Sequence, residues 1–310
     1  MSDPATGVGP GTMIQGHPHT SPDPTSEDGR KTVIRPTGRF TAALLDETQT
    51  KVLKRVQVNM PWRYLPDYLE TVLEVPINLE IGLEAHQLDS VSPALFRSLA
   101  QDLHRAGCRI TLHGPFWDLC PGSSDAMIRQ VSILRFHQLF DLVEAFRPIH
   151  VVCHTGFDTN HHGSQQDSFH KHSLSVWEPL VARAETLKTP LLLENVWEHG
   201  PELHRELLKA LRSPYCGFCL DVGHQHSFSQ TPLTAWIDTL GEFLREVHVH
   251  DNHGTQDTHL PVGQGTVDFK AFFGCLRTRG LNPLITLEPH CEEHLTASLA
   301  GLAKVMAIDD

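Results

Sequence analysis

At 310 residues, 40% of them hydrophobic, the chain is long enough to bury one sizeable core, and single barrels reach this length without dividing. It carries 25 Lys and Arg against 37 Asp and Glu, a formal charge of −12, which disfavours nucleic acid as a partner. Seven scattered cysteines argue against a disulfide framework; with no basic leader and no apolar run approaching about 18 residues, the expectation is a cytoplasmic chain with no membrane partner.

Residues 1–50 are rich in Pro, Gly, Ser, Thr and Asp and hold no sustained period, so they are expected to form a flexible extension in which His17 and His19 are incidental. From residue 51 to 310 the text changes to short apolar runs separated by amphipathic stretches, the alternation of a parallel α/β barrel. Eight runs are expected to be strands: Val52 to Val58, Ile77 to Leu83, Cys108 to Leu112, Ile149 to Cys153, Pro190 to Leu193, Gly217 to Leu220, Glu246 to Val249 and Pro283 to Leu287. Helices are expected over Pro93 to Ala106, Asp125 to Phe146, Leu174 to Leu187, Pro201 to Leu211 and His294 to Ala307. The first of these has Ser92 before Pro93, which places proline where its missing N–H costs nothing. Eight strands close a (β/α)8 TIM barrel. A doubly wound open sheet would want a Gly-rich first turn, and the turn here reads Asn59, Met60, Pro61, Trp62. Cys216 and Cys219 form a C-x-x-C with no second pair, and read as buried strand cysteines.

The chemistry is expected where polar residues end or interrupt these runs. His113 ends the third, His154 the fourth, Glu194 the fifth and Asp221 the sixth; His248 lies within the seventh and Glu288 ends the eighth. In a barrel these ends converge on one face, and burying six such groups without partners is prohibitively costly. Any one of them alone is explained by a hydrogen bond or a helix cap; the six together point to metal. Asp221 and His224 are spaced i, i+3, with Gly223 expected to let the chain turn sharply, and Asp257 and His259 share a face if their segment is extended. Nine candidate ligands exceed the four that one ion needs and imply two or three ions sharing a bridging carboxylate. Imidazoles mixed with carboxylates suit Zn2+ or Mn2+, with Fe2+ or a single ion as alternatives.

These residues fall in L-H-G-P (112–115), C-H-T-G (153–156), L-E-N-V (193–196), C-L-D-V-G-H (219–224), V-H-V-H-D-N (247–252), D-T-H-L-P-V-G-Q-G (257–265) and L-E-P (287–289). In this order, from about Val52 to His290, the chain resembles the xylose-isomerase-like barrels and, within them, the type IV apurinic endonucleases. That resemblance implies a first ion on His113 and His154, a second on Asp221, His248 and Glu288, and a third on His224, Asp257 and His259, with Glu194 bridging the first two. It also implies that the sugar isomerases and epimerases of the same barrels manage with one ion on residues resembling Glu194, Asp221, His248 and Glu288, without the D-T-H pair.

A di- or trinuclear centre suits cleavage of a phosphoester, because it clamps both the attacking and the departing oxygen. The leading expectation is therefore a metal-dependent hydrolase, with Glu194, Glu288, His224 and His259 as candidate catalytic residues. The alternative is a one-metal sugar isomerase or epimerase in which Glu194 and Glu288 carry protons. Segment 156–172 has only Lys171 as a fixed positive charge and segment 251–265 has none, so a small phosphorylated substrate is expected in preference to duplex DNA. His161, His162, His170 and His172 are mostly neutral near pH 7. His250 is balanced between contact with the site and a supporting place; Trp62, Phe116 and Trp117 are candidate walls of the mouth.

Overall fold

The structure is a computed structural model that describes residues 45–306. The expected flexible extension, His17 and His19 included, lies outside the described residues as far as residue 44. Beyond it the chain is already ordered into a helix. Asp46 and Gln49 form a capping box that starts the helix Glu47–Leu53, and Gln49 Nε2 donates to Thr296 O (3.3 Å) on the last helix, Glu292–Val305. Val52 and Leu53 therefore belong to a helix, and the first strand begins at Gln57. A short apolar run cannot by itself tell a strand from a buried helical turn.

Eight parallel strands close a barrel in chain order, as the eight apolar runs imply: β1 (Gln57–Pro61), β2 (Leu79–Gly82), β3 (Ile110–His113), β4 (Val151–His154), β5 (Leu191–Glu194), β6 (Cys216–Asp221), β7 (Leu244–Val249) and β8 (Leu284–Leu287). β1 pairs with β8 through Val58 and Leu287, and the one register irregularity falls at Phe218/Cys219. The helix Pro93–Ala106 starts with Ser92 Oγ accepting from Leu95 N (3.2 Å) and stops at Gly107. The stretch expected as one helix over 125–146 divides into Ala126–Phe140 and Val143–Phe146. Segment 156–172 is largely helical, because Gln166–Leu187 begins eight residues ahead of the expected Leu174 and buries Phe169, Ser173, Val176 and Trp177 along one face. Among the described residues no helix is long and apolar enough to cross a membrane.

Alternate strand residues such as Val58, Ile81, Leu112, Leu193 and Val247 join the core between barrel and helices. The other set faces the bore, and its contacts join neighbouring strands and also cross between strands that are not neighbours. His150, just before β4, bonds Glu246 on β7; Gln57 Nε2 on β1 donates to Thr111 Oγ1 on β3 (2.6 Å). The Thr286 hydroxyl donates to Glu246 and the Thr111 hydroxyl to Glu80 (3.3 Å). Val152, Leu192 and Cys219 form the apolar part of the filling. Branched aliphatic layers commonly fill such barrels; this bore is mostly bonded polar groups that lead up to the site.

Candidate metal centre

The strand termini deliver His113, His154, Glu194 and Asp221 as the last residues of β3 to β6, with His248 one residue short of the end of β7 and Glu288 directly after β8. Glu194, 1% exposed, occupies the middle. Its Oε2 faces His113 Nε2 (3.0 Å) and His154 Nε2 (3.1 Å), and its Oε1 faces His224 Nδ1 (3.3 Å) and His248 Nδ1 (3.4 Å). One carboxylate thus has an oxygen toward each side of the cluster. His248 Nδ1 also meets Glu288 Oε1 (3.1 Å) and, farther off, Asp221 Oδ2 (3.8 Å).

Asp221 has a second task. Its Oδ1 accepts from His224 N (2.6 Å) and so starts the helix Val222–Phe228, which is why residues spaced i, i+3 come together. Gly223 serves close approach, where a turn was expected: a Cβ there would lie 2.0 Å from the His250 ring. Asp257 and His259 also meet, with His259 Nε2 2.9 Å from Asp257 Oδ2 and His224 Nε2 3.3 Å from the same oxygen. The extended segment expected there is absent. The pair meets because the chain bends, with His259 in the left-handed region at φ 46°.

Ring orientation supports a metal role. His113, His224 and His259 each place Nδ1 against a backbone carbonyl, those of Gly114 (2.9 Å), Asn195 (3.0 Å) and Glu288 (3.3 Å), which leaves Nε2 directed at the carboxylates. A proton fixed on one ring nitrogen by an outer partner is the usual state of a metal-ligating histidine. Both ring nitrogens of fully buried His248 lack a hydrogen bond although carboxylates surround them, and a buried polar atom left in that state calls for an ion. The donor atoms of His113, Glu194 and His248, and of Glu194, Asp221 and His224, lie within 4.8 Å of one another, a spacing consistent with a divalent ion such as Zn2+ or Mn2+.

The electrostatics agree. Burial opposes a charged His113 ring, yet its bond to Glu194 and the charges of Glu194 and Glu80 carry its pKa up to about 9. Against the same burial penalty His224 is held well above the ordinary imidazole value, chiefly by Asp221, and His248 by Cys219, Glu80 and Glu194. Burial would raise Glu194 and Asp257, but the surrounding imidazoles hold both below the usual carboxylate range. His154 is the exception: burial lowers it, and Phe116 stacks on its ring at 4.5 Å. A cluster that draws protons onto buried imidazoles is one in which a divalent cation can replace them.

Sequence reasoning missed Glu80. Fully buried on β2, it faces His248 Nε2 at 3.3 Å and is steadied by Asn59 Nδ2 (3.1 Å). A lone carboxylate inside the run I-N-L-E-I-G was the available signal. His250 is in the cluster, with Nε2 3.1 Å from Asp221 Oδ1 and its ring stacked on His259 at 3.7 Å and 8°. The donor atoms of His224, His250, Asp257 and His259 lie within 4.8 Å of one another, so His250 is a candidate ligand on this side of the cluster as well as a clamp on Asp221 and His259. Trp62 does not wall the mouth; it is buried against Phe96, ring centroids 4.5 Å apart. Trp117 stands 68% exposed. Cys216 and Cys219 are buried and free, on opposite sides of β6, and Cys219 lies beside Glu246 and His248 in the bore.

Comparison with known proteins agrees with this architecture. Probable endonuclease 4 of Symbiobacterium thermophilum is 26% identical over 214 residues, 60% of this chain and 76% of that protein. The TTHB071 protein of Thermus thermophilus, in a crystal soaked with zinc chloride, superposes with TM-score 0.70 at 26% identity, covering 83% of this chain and 99% of its own. A D-tagatose 3-epimerase-like protein superposes with TM-score 0.72 at 23% identity over 82% of this chain and 98% of its own, a likeness of fold. Residues 78–307 match the family model described as Xylose isomerase-like TIM barrel, and the chain belongs to that family.

Proposed function

We propose that the chain is a divalent-metal-dependent isomerase or epimerase of a small sugar, with Glu194 and Glu288 moving the proton. The observation that carries this reading is the placement of the two carboxylates about His248 Nδ1, at 3.4 and 3.1 Å, with Asp221 completing the set. Inverting or relocating a C–H beside a carbonyl needs a base to remove the proton and an acid to return it, both within reach of one carbon. An ion held by Glu194, Asp221, His248 and Glu288 would polarise the carbonyl and the neighbouring hydroxyl and so acidify that C–H. Glu194, buried at the centre of the cluster, is placed to accept the proton. Glu288, the more accessible at 11%, lies nearer the mouth and is suited to return it. Phe116 stacks on His154 at this side of the site. The scarcity of Lys and Arg in segments 156–172 and 251–265 favours an uncharged sugar over the phosphorylated substrate first expected. The D-tagatose 3-epimerase-like protein gives the reading a precedent on this fold.

The second reading is phosphoester hydrolysis. What favours it is Glu194 itself, whose two oxygens face His113 and His154 on one side and His248 on the other, as a bridge between two ions requires. One assay separates the two. The protein is stripped with chelator, reloaded with Mn2+ or Zn2+, and incubated in D2O with a panel of ketoses beside a chromogenic phosphodiester. Deuterium at the carbon next to the carbonyl, lost in Glu194→Gln and Glu288→Gln, supports the isomerase. Phosphodiester turnover with no exchange in any sugar overturns it.

A further inference from the structure

The loop after β7 carries Asp257 and His259 with no regular structure of its own, yet its path is fixed at several points. Asp251, fully buried just beyond the strand, accepts from four backbone N–H groups: Oδ1 from Asn252 (2.9 Å) and Val267 (3.1 Å), Oδ2 from Gly263 and Gly265 (both 2.9 Å). Its own backbone exchanges hydrogen bonds with Leu260 at 2.8 and 2.7 Å, an isolated antiparallel bridge one residue past His259. Both ends of the loop and a point beside the candidate ligands are thus tied to one residue. Gly265 is required for this closure, since a Cβ there would lie 2.3 Å from Asp251 Oδ1 and from Asn252 O.

We infer that Asp251 is the positioning residue for Asp257 and His259, setting the loop so that both meet His224. Its carboxylate accepts from backbone N–H groups, so it acts through the backbone it gathers. A carboxylate is the suitable group, because four converging N–H dipoles stabilise an anion in a place where water does not reach. His259 needs the support. It stands in the left-handed region at φ 46°, which a histidine adopts only when its surroundings impose it. The inference requires an ion at His224, Asp257 and His259 in addition to the one at Glu194, Asp221, His248 and Glu288, and its test does not read turnover.

The test compares wild type, Asp251→Asn, Gly265→Ala and His259→Ala after loading with Zn2+ and desalting. Metal per chain is measured by mass spectrometry, zinc affinity by competition with a chromophoric chelator, and amide exchange by hydrogen–deuterium labelling. Asp251→Asn keeps the shape but turns an N–H donor toward N–H donors, so it is expected to lose the ion that His259→Ala loses. That ion's Kd should rise 10-fold or more, with faster exchange at residues 252–267 and retention of the ion at Glu194, Asp221, His248 and Glu288. Loss of every ion together would mean a general structural role and overturns the inference. So does wild-type affinity for every ion in Asp251→Asn, or a wild-type content of a single ion. If Asp251→Asn does not fold, Gly265→Ala, which crowds the anchor without removing it, is judged by the same outcomes.

Discussion

At the scale of single residues, the centre depends on how each imidazole is held as much as on which carboxylates surround it. Glu80 illustrates this. It places an anion behind His248 Nε2 at 3.3 Å while Nδ1 faces Glu194 and Glu288, the carboxylate–histidine arrangement that orients metal ligands. Glu80→Gln, which keeps the shape and removes the charge, is expected to weaken metal binding about 10- to 100-fold, read by chelator competition, with the fold retained. Unchanged affinity would reduce Glu80 to filling of the bore. His259→Ala tests the reaction class, since an ion that steadies a departing oxygen is used mainly in the transition state. Under the hydrolase reading kcat falls roughly 100-fold or more, whereas under the isomerase reading, centred on Glu194 and Glu288, turnover changes little. Six of the nine candidate ligands stand out in the sequence because ligand types at successive strand ends form a pattern, and His224, Asp257 and His259 are added by their spacing. Glu80 and Asp251 could not, for each acts through another residue: Glu80 sits inside a strand, and Asp251 lies past the end of β7, where strand parity says nothing.

At the scale of elements, the order of strands and helices was legible, and boundaries failed where local chemistry outweighed the hydrophobic pattern. Val52 and Leu53 look like the start of a strand, but the box formed by Asp46 and Gln49 directs them into a helix. Gln166 to His172 looks like a loop because it is polar; the length of Gln166–Leu187 lets Phe169 and Ser173 continue its buried stripe. The junction of β6 with the helix Val222–Phe228 is the tightest in the site, since Asp221 is at once cap, candidate ligand and partner of His250. Gly223→Ala tests that junction. Its methyl would enter the His250 ring, which is held between Asp221 and His259 and has no free space in which to withdraw. The expected cost is about 1–3 kcal/mol of stability together with a fall in metal content. A variant that unfolds and binds zinc as wild type does would show that His250 moves aside freely and is not a clamp.

At the scale of the molecule, the bore couples the stability of the barrel to its chemistry. Glu246 receives both His150 and Thr286 where no water reaches, so Glu246→Ala leaves two buried groups unpartnered and should cost about 3–5 kcal/mol in urea unfolding. Metal adds a term that depends on pH, and its sign follows from two shifts. In chelated protein the pKa of His113 rises from 6.5 to about 9, so its stabilising contribution is complete below pH 6.5 and is lost as pH rises through 9. Glu80 falls from 4.5 to about 2, and its contribution is complete above pH 4.5 and lost as pH drops through 2. As far as these two groups decide, chelated protein is most stable between pH 4.5 and 6.5 and weakens toward pH 9. Metal-loaded protein should behave differently, because a ligating His113 must give up its proton and binding strengthens as pH rises over the same range. With free ion at 100 times Kd, binding contributes about 2.7 kcal/mol. The gap in Tm between loaded and chelated samples should therefore widen steadily from pH 6 to pH 9. A gap that stays constant or narrows would show that His113 does not exchange its proton for metal.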